Sequence, residues 1–375
     1  MRSAADASGG WTDAGRSSSR GGLVTAALVF LAATLTAGLL AFSLSEGLLA
    51  WDVRFAYLPA GDAVLDGRSP YPALDDPILQ DQKGYVYPPQ LVLALLPLTA
   101  LPIDVVAILV ALGMLALVGL TLYLLGVREV ACYAAAVLWM PTASGVILSN
   151  LSIPLALALA LVWRYRDSAW PSAAALGLSV SAKLLLWPMF VWMVATRRLR
   201  AAVLALILGV AVTLVAWAAI GFDGLVGYPD LLRRLSDIQS ANSYSIVGMA
   251  STLGLGETVG RAASLLAGLA LLAWCVALGR RGDEARSFTC AIAATLALSP
   301  IVWLHYFVAM LVPLAILRPR FSWIWLLPIL LWTSPRPGYA EGVQTFFPAL
   351  VIGVLLVLLL AGRSGGRSES VEALA

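Results

Sequence analysis

Asp52 follows directly on a long apolar run, in the stretch WDVRFAYLPAGDAVLDGRSPYP that begins at Trp51. A carboxylate at a membrane edge is partly desolvated, which raises its pKa, and a nearby cation lowers it, so its basicity is tunable. That is what a general base requires. The same residue type also caps helices, and position alone leaves both roles open. Asp62, Asp66, Asp75, Asp76 and Asp81 read as solvated carboxylates. Lys183 lies in the apolar run GLSVSAKLLLWPMF, where an ionisable residue is a functional candidate by default; snorkelling to the surface is the structural alternative. His305, the only histidine, sits in SPIVWLHYFVAMLVP, and it suits either core packing or proton and phosphate contacts near neutral pH.

Weaker signals surround these. In Tyr85-Val86-Tyr87-Pro88-Pro89 the tyrosines share a face if the segment is extended. They fit a membrane-interface belt, a platform for a sugar ring, or donors to a phosphate. Asn242-Ser243-Tyr244 is no glycosylation sequon and fits turn chemistry. The chain has no P-loop, no GxGxxG, no GxSxG and no Asp-x-Asp of the kind that holds a metal-nucleotide. One histidine without a Cys/His cluster argues against a zinc site. Any chemistry is therefore expected on an outer face, away from nucleotide-activated substrates.

The elements that must position these residues are membrane helices. Of 375 residues, 61% are hydrophobic and 12% charged, whereas soluble domains carry about 25% charged residues. The mean hydropathy is +0.89. A net charge of +3 is too small to point to nucleic acid. Cys132, Cys275 and Cys290 lie in apolar runs with no metal-ligand spacing and fit small core filler. The run Gly21–Ser45 exceeds the roughly 7–15 residues of a secretory signal core and reads as an uncleaved first span. Arg2, Arg16 and Arg20 before it place the N-terminus in the cytoplasm.

Basic clusters at 164–166, 197–200, 280–286, 318–320 and 363–367 alternate with polar, aromatic stretches at 46–89, 222–245, near His305 and at 334–342. Positive charge marks cytoplasmic loops, so the second set lies outside and both termini inside. The sequence predicts an all-α polytopic protein of the bacterial inner membrane with roughly ten to twelve membrane helices. Residues 1–21 form a disordered cytoplasmic tail, 22–362 the membrane domain with 46–89 as its first outer loop, and 363–375 a second cytoplasmic tail. Residues 53–66 alternate as an amphipathic interfacial helix that Gly67 ends. The apolar runs 91–101, 151–163 and 184–195 are shorter than the about 17–25 residues of a straight span. Backbone ends inside a bilayer need protein or a water-filled void beside them, which predicts an outer cavity. No internal repeat is visible, which argues mildly against an inverted-repeat transporter.

Taken in order along the chain, these residues match a known pattern. They are Asp52, Tyr57, Ala60, Gly67-Arg68-Ser69-Pro70-Tyr71, Tyr85-Val86-Tyr87-Pro88-Pro89, Pro97-Leu98, Lys183, the basic turn at 197–200, Asn242-Ser243, and Ser299-Pro300-x-x-Trp303-x-His305. The chain resembles the polyprenyl-phosphate-mannose-dependent mannosyltransferases of glycosyltransferase family 87, which have a GT-C fold. It departs from the pattern at Ser149-Asn150-Leu151-Ser152, where many members carry Gly-Gln. It departs again at Lys183-Leu184 in place of Lys-Pro, and at His305-Tyr306 in place of two histidines. These departures bear on donor and acceptor identity more than on the fold.

The resemblance implies an inverting, extracytoplasmic hexosyltransferase. It would move a sugar, mannose first among the candidates, from a polyprenyl-phosphate donor to a glycolipid or lipoglycan acceptor, with the lipid bilayer as its medium and no nucleic-acid partner. It implies no tightly bound cofactor. Asp52 is the implied general base. Lys183 and Arg68 are implied phosphate contacts, with His305 as a further one. Arg54 and Asn242 are candidate substrate contacts, and Tyr57, Tyr71 and Tyr87 would shape the pocket. The alternatives are a related GT-C enzyme using another lipid-linked sugar such as arabinofuranose, a transporter or flippase, and an inert envelope scaffold.

Overall fold

The structure, a computed structural model, describes the backbone of residues 11–334 and 342–361 and the side chains from residue 21 onward, residue 343 apart. Residues 1–10, most of the expected outer stretch 334–342 and the tail 363–375 lie outside the described residues. Every described element is helical, and the chain is an all-α polytopic membrane protein. In order, α1 is Trp11–Ser45, α2 Leu58–Leu65, α3 Pro89–Leu95, α4 Ile103–Leu124, α5 Val130–Leu138, α6 Met140–Leu148, α7 Ser152–Arg164 and α8 Ala169–Ala182. Then follow α9 Pro188–Ala195, α10 Leu199–Ala219, α11 Tyr228–Gln239, α12 Ile246–Thr252, α13 Glu257–Arg280, α14 Glu284–Leu298, α15 Leu311–Leu317 and α16 Phe346–Ala361. The first helix takes in residues 11–21, which the sequence reading leaves in the tail.

Four helices are long and apolar enough to cross a membrane: Gly21–Ser45 of α1, α4, α10 and α13. A fifth span forms if α5 and α6 are one helix bent by 67°. The bend has a local cause. Trp139 is extended (φ −62°, ψ 131°), and Pro141 in the first turn of α6 has no N–H to bond back into α5. The other apolar helices are 10–17 residues long. The expected ten to twelve membrane helices therefore divide into a few full spans and a larger set of short pieces.

The short pieces create the recess. From Ser152, α7 runs 13 residues to Arg164, about 20 Å at 1.5 Å per residue. The next helix, α8, returns 14 residues to Lys183, and α9 turns back toward Arg197 and Arg198. Lys183 is thus the tip of a hairpin. By contrast α10, with 21 residues, spans about 32 Å. The hairpin tip therefore stops about 10 Å short of the far end of α10 on the same rise.

Small residues hold this hairpin close to α10. A Cβ added to Gly177 would lie 2.6 Å from Ala205 O, and one on Gly209 would lie 3.1 Å from Gly177 O. Small residues at spacing four let membrane helices approach this way. At the opposite end, Arg166 pairs with Glu284 (3.3 Å), and Arg198 pairs with Asp167 and Glu284 (2.9 Å each). The Arg166 guanidinium lies 4.4 Å from the Trp163 ring and that of Arg198 lies 5.2 Å from Trp192. Three of the basic clusters expected to share one membrane face thus meet in one ionic cluster.

Candidate active site

Asp52 reaches its position through the turn after α1. Gly47 and Ala50 adopt positive φ (66° and 59°), and Ala50 N–H donates to Ile147 O at 2.7 Å, docking the turn on the end of α6. Asp52 itself is helical (φ −62°, ψ −36°) and its side chain makes no capping bond. One turn of π-helix follows over Val53–Tyr57. Residues five apart on an α-helix point about 140° apart. The wider i→i+5 turn narrows that divergence, and Tyr57 Oη donates to Asp52 Oδ2 at 3.3 Å. Asn150 Nδ2 donates to the same oxygen at 2.5 Å and lies 3.5 Å from Tyr87 Oη. Burial raises the Asp52 carboxyl from its ordinary 3.8 to about 6, against the opposing pull of the Asn150 bond, the Lys183 charge and the Tyr57 bond.

Lys183 is set by the break between α8 and α9. Its backbone is extended (φ −155°, ψ 116°), the Gln90 side-chain amide donates to Ser181 O just before it, and Pro188 opens α9. Lys183 Nζ donates to Tyr306 Oη at 2.6 Å and lies 3.9 Å from the centre of that ring and 5.4 Å from that of Tyr87. His305, beside Tyr306, is 4% exposed, and neither ring nitrogen has a hydrogen-bond partner among the described residues. A buried polar group left unpaired is costly, so it marks a place where a ligand or water is expected to bond.

These side chains line two adjoining spaces. A cavity of about 480 Å³ is bordered by Asp52, Tyr57, Tyr87, Asn150, Trp303 and His305, and also by Trp51, Asp81, Gln82 and Gln239. A second, mostly apolar groove of about 310 Å³ is bordered by Lys183, Leu184, Trp187, Leu232, Leu298 and Pro300. Val86, Tyr87, Leu235, Ile301 and Tyr306 border both and form the wall between them. Among the described residues no three His, Cys, Asp or Glu side chains come together as a metal site.

The aromatic segment 85–87 is built in from behind. Tyr85 Oη donates to Pro88 O (2.7 Å) and accepts from Val92 N–H (3.0 Å), which fixes the start of α3. Tyr71 stacks on Trp217 (5.4 Å, 22°) and donates to Tyr87 O (3.1 Å), and Tyr228 donates to Val86 O (3.0 Å). Tyr71 therefore supports the wall and does not face the cavity.

Of the sequence candidates, Asp52, Tyr57, Tyr87 and His305 meet at the cavity and Lys183 at the adjoining groove. Three others lie elsewhere. Arg54 does not line the cavity; it donates to Leu49 O and pairs with Asp104 of α4, which holds its guanidinium elsewhere. Arg68 is exposed and paired with Asp66 at 2.8 Å. Asn242 is exposed, and it is the neighbouring Ser243 that is buried, bonded to Ser240 O and Ser245 Oγ. Asn150 and Tyr306 were visible in the sequence only as departures from a family pattern, and the structure puts both at the centre. The signal for Asn150 was a polar pair between two short apolar runs.

The arrangement, a half-buried carboxylate and a lysine on two sides of one aromatic wall, can be set beside known proteins. Glycosyltransferase family 87 matches residues 85–301. The chain is 28% identical over 274 residues to a polyprenol-phosphate-mannose-dependent alpha-(1-2)-phosphatidylinositol pentamannoside mannosyltransferase of Mycobacterium tuberculosis, covering 68% of this chain and 59% of that one. It thus spans about three-fifths of the length of that relative. It is 26% identical over 322 residues to a polyprenol-phosphate-mannose-dependent alpha-(1-2)-phosphatidylinositol mannoside mannosyltransferase of Mycolicibacterium smegmatis, covering 74% of this chain and 68% of that one. No solved structure matches. Since the family match takes in Tyr87, Asn150 and Lys183 and more than half of the 375 residues, the chain belongs to glycosyltransferase family 87.

Proposed function

We propose that the chain moves mannose from a polyprenyl phosphate to a hydroxyl of a glycolipid or lipoglycan, with inversion, on the extracytoplasmic face of the bacterial inner membrane. The observation that carries this reading is the pair of spaces with one wall: a carboxylate on one side and an ammonium at the head of an apolar groove on the other. The groove takes the polyprenyl chain, which enters sideways from the bilayer, and Lys183 meets its phosphate. The sugar crosses the wall at Tyr87 and Tyr306, and the acceptor hydroxyl stands against Asp52.

In the transfer, the acceptor oxygen bonds to the anomeric carbon while its proton passes to Asp52. The bond from that carbon to the phosphate oxygen breaks, and the electron pair leaves with the polyprenyl phosphate. The added negative charge on the leaving group forms beside Lys183, where a fixed cation in a water-poor site is effective. His305, whose two ring nitrogens have no hydrogen-bond partner among the described residues, would bond a sugar hydroxyl or a phosphate oxygen. The relatives' names, which specify a polyprenol-phosphate-mannose donor and phosphatidylinositol mannoside acceptors, support the substrate classes. The arginine cluster at the far ends of α7 and α8 supports an outward-facing site.

Purified protein in liposomes tests the reading. Labelled polyprenyl-phosphate mannose and a bacterial lipid extract should yield labelled glycolipid. Preferential transfer from polyprenyl-phosphate arabinofuranose would reassign the donor. Passage of the donor across the bilayer without a new glycosidic bond would overturn the transferase reading.

A further inference from the structure

Asn150 lies at a junction that fixes both its backbone and its side chain. Ser149 takes a left-handed conformation (φ 53°, ψ 44°), uncommon for a residue with a Cβ. Ser149 N–H donates to Val146 O and Asn150 N–H to Gly145 O, both at 3.1 Å, which closes the end of α6. The Asn150 side chain then serves the next helix. One of its two end atoms lies 3.0 Å from Ser152 N and 2.9 Å from Ser152 Oγ. A backbone N–H can only donate, so that end atom is the oxygen. The amide orientation is therefore settled by the start of α7, and Nδ2 must face Asp52.

The consequence falls on the carboxylate. Asn150 Nδ2 and Tyr57 Oη both converge on Oδ2 of Asp52. Oδ1 accepts no hydrogen bond among the described residues, and the residue borders the cavity. Resting on the transferase reading above, we infer that Asn150 is a positioning residue. It holds Oδ2 so that Oδ1 is the atom that takes the acceptor's proton. Asn150 borders the same cavity but is itself 4% exposed, and both ends of its side-chain amide are taken up by protein partners. A carboxylate free to rotate would present either oxygen in many directions, and a reacting group out of line by an ångström loses much of its advantage.

Asn150→Asp separates this role from helix capping. The aspartate keeps an oxygen for Ser152 N–H and Oγ–H, so the cap on α7 survives. Its other oxygen replaces a donor with an acceptor beside Asp52. We expect kcat to fall by about 10²-fold with the KM for donor changed less than about threefold. The acid limb of kcat should move to higher pH by about one unit, because a donor to the charged form is lost and two carboxylates come to share a site. Lys183, Asp81, His305, Tyr57, Tyr87 and Tyr306 also face or border these spaces and are unchanged in the variant.

Wild-type kcat and an unmoved acid limb in a folded Asn150→Asp protein would overturn the inference and leave Asn150 as a helix cap. Ser152→Ala is the second variant. It removes one of the two donors that lock the amide, and a fall in kcat of about 3–10-fold at unchanged donor affinity is expected. No fall would count against the inference even if Asn150→Asp failed to fold. Asp52→Asn is run alongside: if it keeps full activity, the transferase reading fails, whereas if it is inactive while Asn150→Asp is normal, only the role of Asn150 fails.

Discussion

Two polar clusters lie about 20 Å apart along α7 and α8, and they are built on opposite principles. At one end Arg166, Asp167, Arg198 and Glu284 are all paired with opposite charges within 4.0 Å, and two aromatic rings cover the guanidiniums. At the other, among the described residues, Asp52, Lys183 and His305 have no opposite charge in contact and the two His305 nitrogens have no hydrogen-bond partner. The first arrangement ties together the α7–α8, α9–α10 and α13–α14 connections. The second leaves bonding capacity unspent around two open spaces. Stability and chemistry are assigned to different ends of the same short helices, and mutation should separate them.

Asp52→Asn should have the largest effect. Turnover should fall by about 10³-fold or more, the scale of a lost general base. The same change should stabilise the fold at pH 7.5. Burial raises the folded pKa of Asp52 from 3.8 to about 6, so the folded state binds the proton more tightly than the unfolded chain. That contribution is fully present below 3.8 and is lost as pH rises through about 6. The gain in Tm from Asp52→Asn should therefore shrink as pH is lowered from 7.5 toward 4. A Tm difference between Asp52→Asn and the parent that stays the same at every pH would contradict the raised folded pKa of Asp52.

Lys183→Met should come next, lowering kcat/KM for the donor by about 10²-fold while the protein remains folded. A weaker but sharper signature is the pH profile of the parent. Since Asp52 must be ionised to take a proton, kcat should decline below about pH 6 and level off above it. A rate that stays flat down to pH 4 would remove Asp52 from the proton step.

Arg198→Ala should do the reverse of Asp52→Asn. It should lower Tm by a few degrees, as loss of roughly 1 kcal/mol does in a mid-sized domain, and leave kcat of the folded protein within about threefold. The smallest effects belong to Arg68→Ala and Asn242→Ala, both exposed, which should change activity by less than about twofold. A large loss at either would mean that the outer loops close over the cavity during turnover.

Much of this was legible before the structure. The type and place of Asp52, Lys183 and His305 followed from charge in apolar surroundings, which is costly unless used. The recess followed from runs too short to span, and 151–163 and 184–195 do end at it. Other features were hidden because they depend on tertiary proximity. Arg54 is a candidate substrate contact in the sequence, but Asp104, 50 residues on, captures it. Arg68 and Tyr71 sit together in the sequence pattern, yet one is solvated and the other is packed behind the wall on Trp217. Asn150 could not be valued because its meaning lies in a left-handed Ser149 and a bond to a residue 98 positions away.

In the proposed reaction one side chain serves the acceptor and another the donor across a shared wall. Donor affinity and turnover, measured on the same preparations of Asp52→Asn and Lys183→Met with polyprenyl-phosphate mannose in liposomes, test it most directly. The two variants should split, with Asp52→Asn binding the donor as the parent does but failing to turn it over, and Lys183→Met binding it poorly. If both variants lose donor binding equally, or if Asp52→Asn turns over at the parental rate, the division of labour between the two spaces is contradicted.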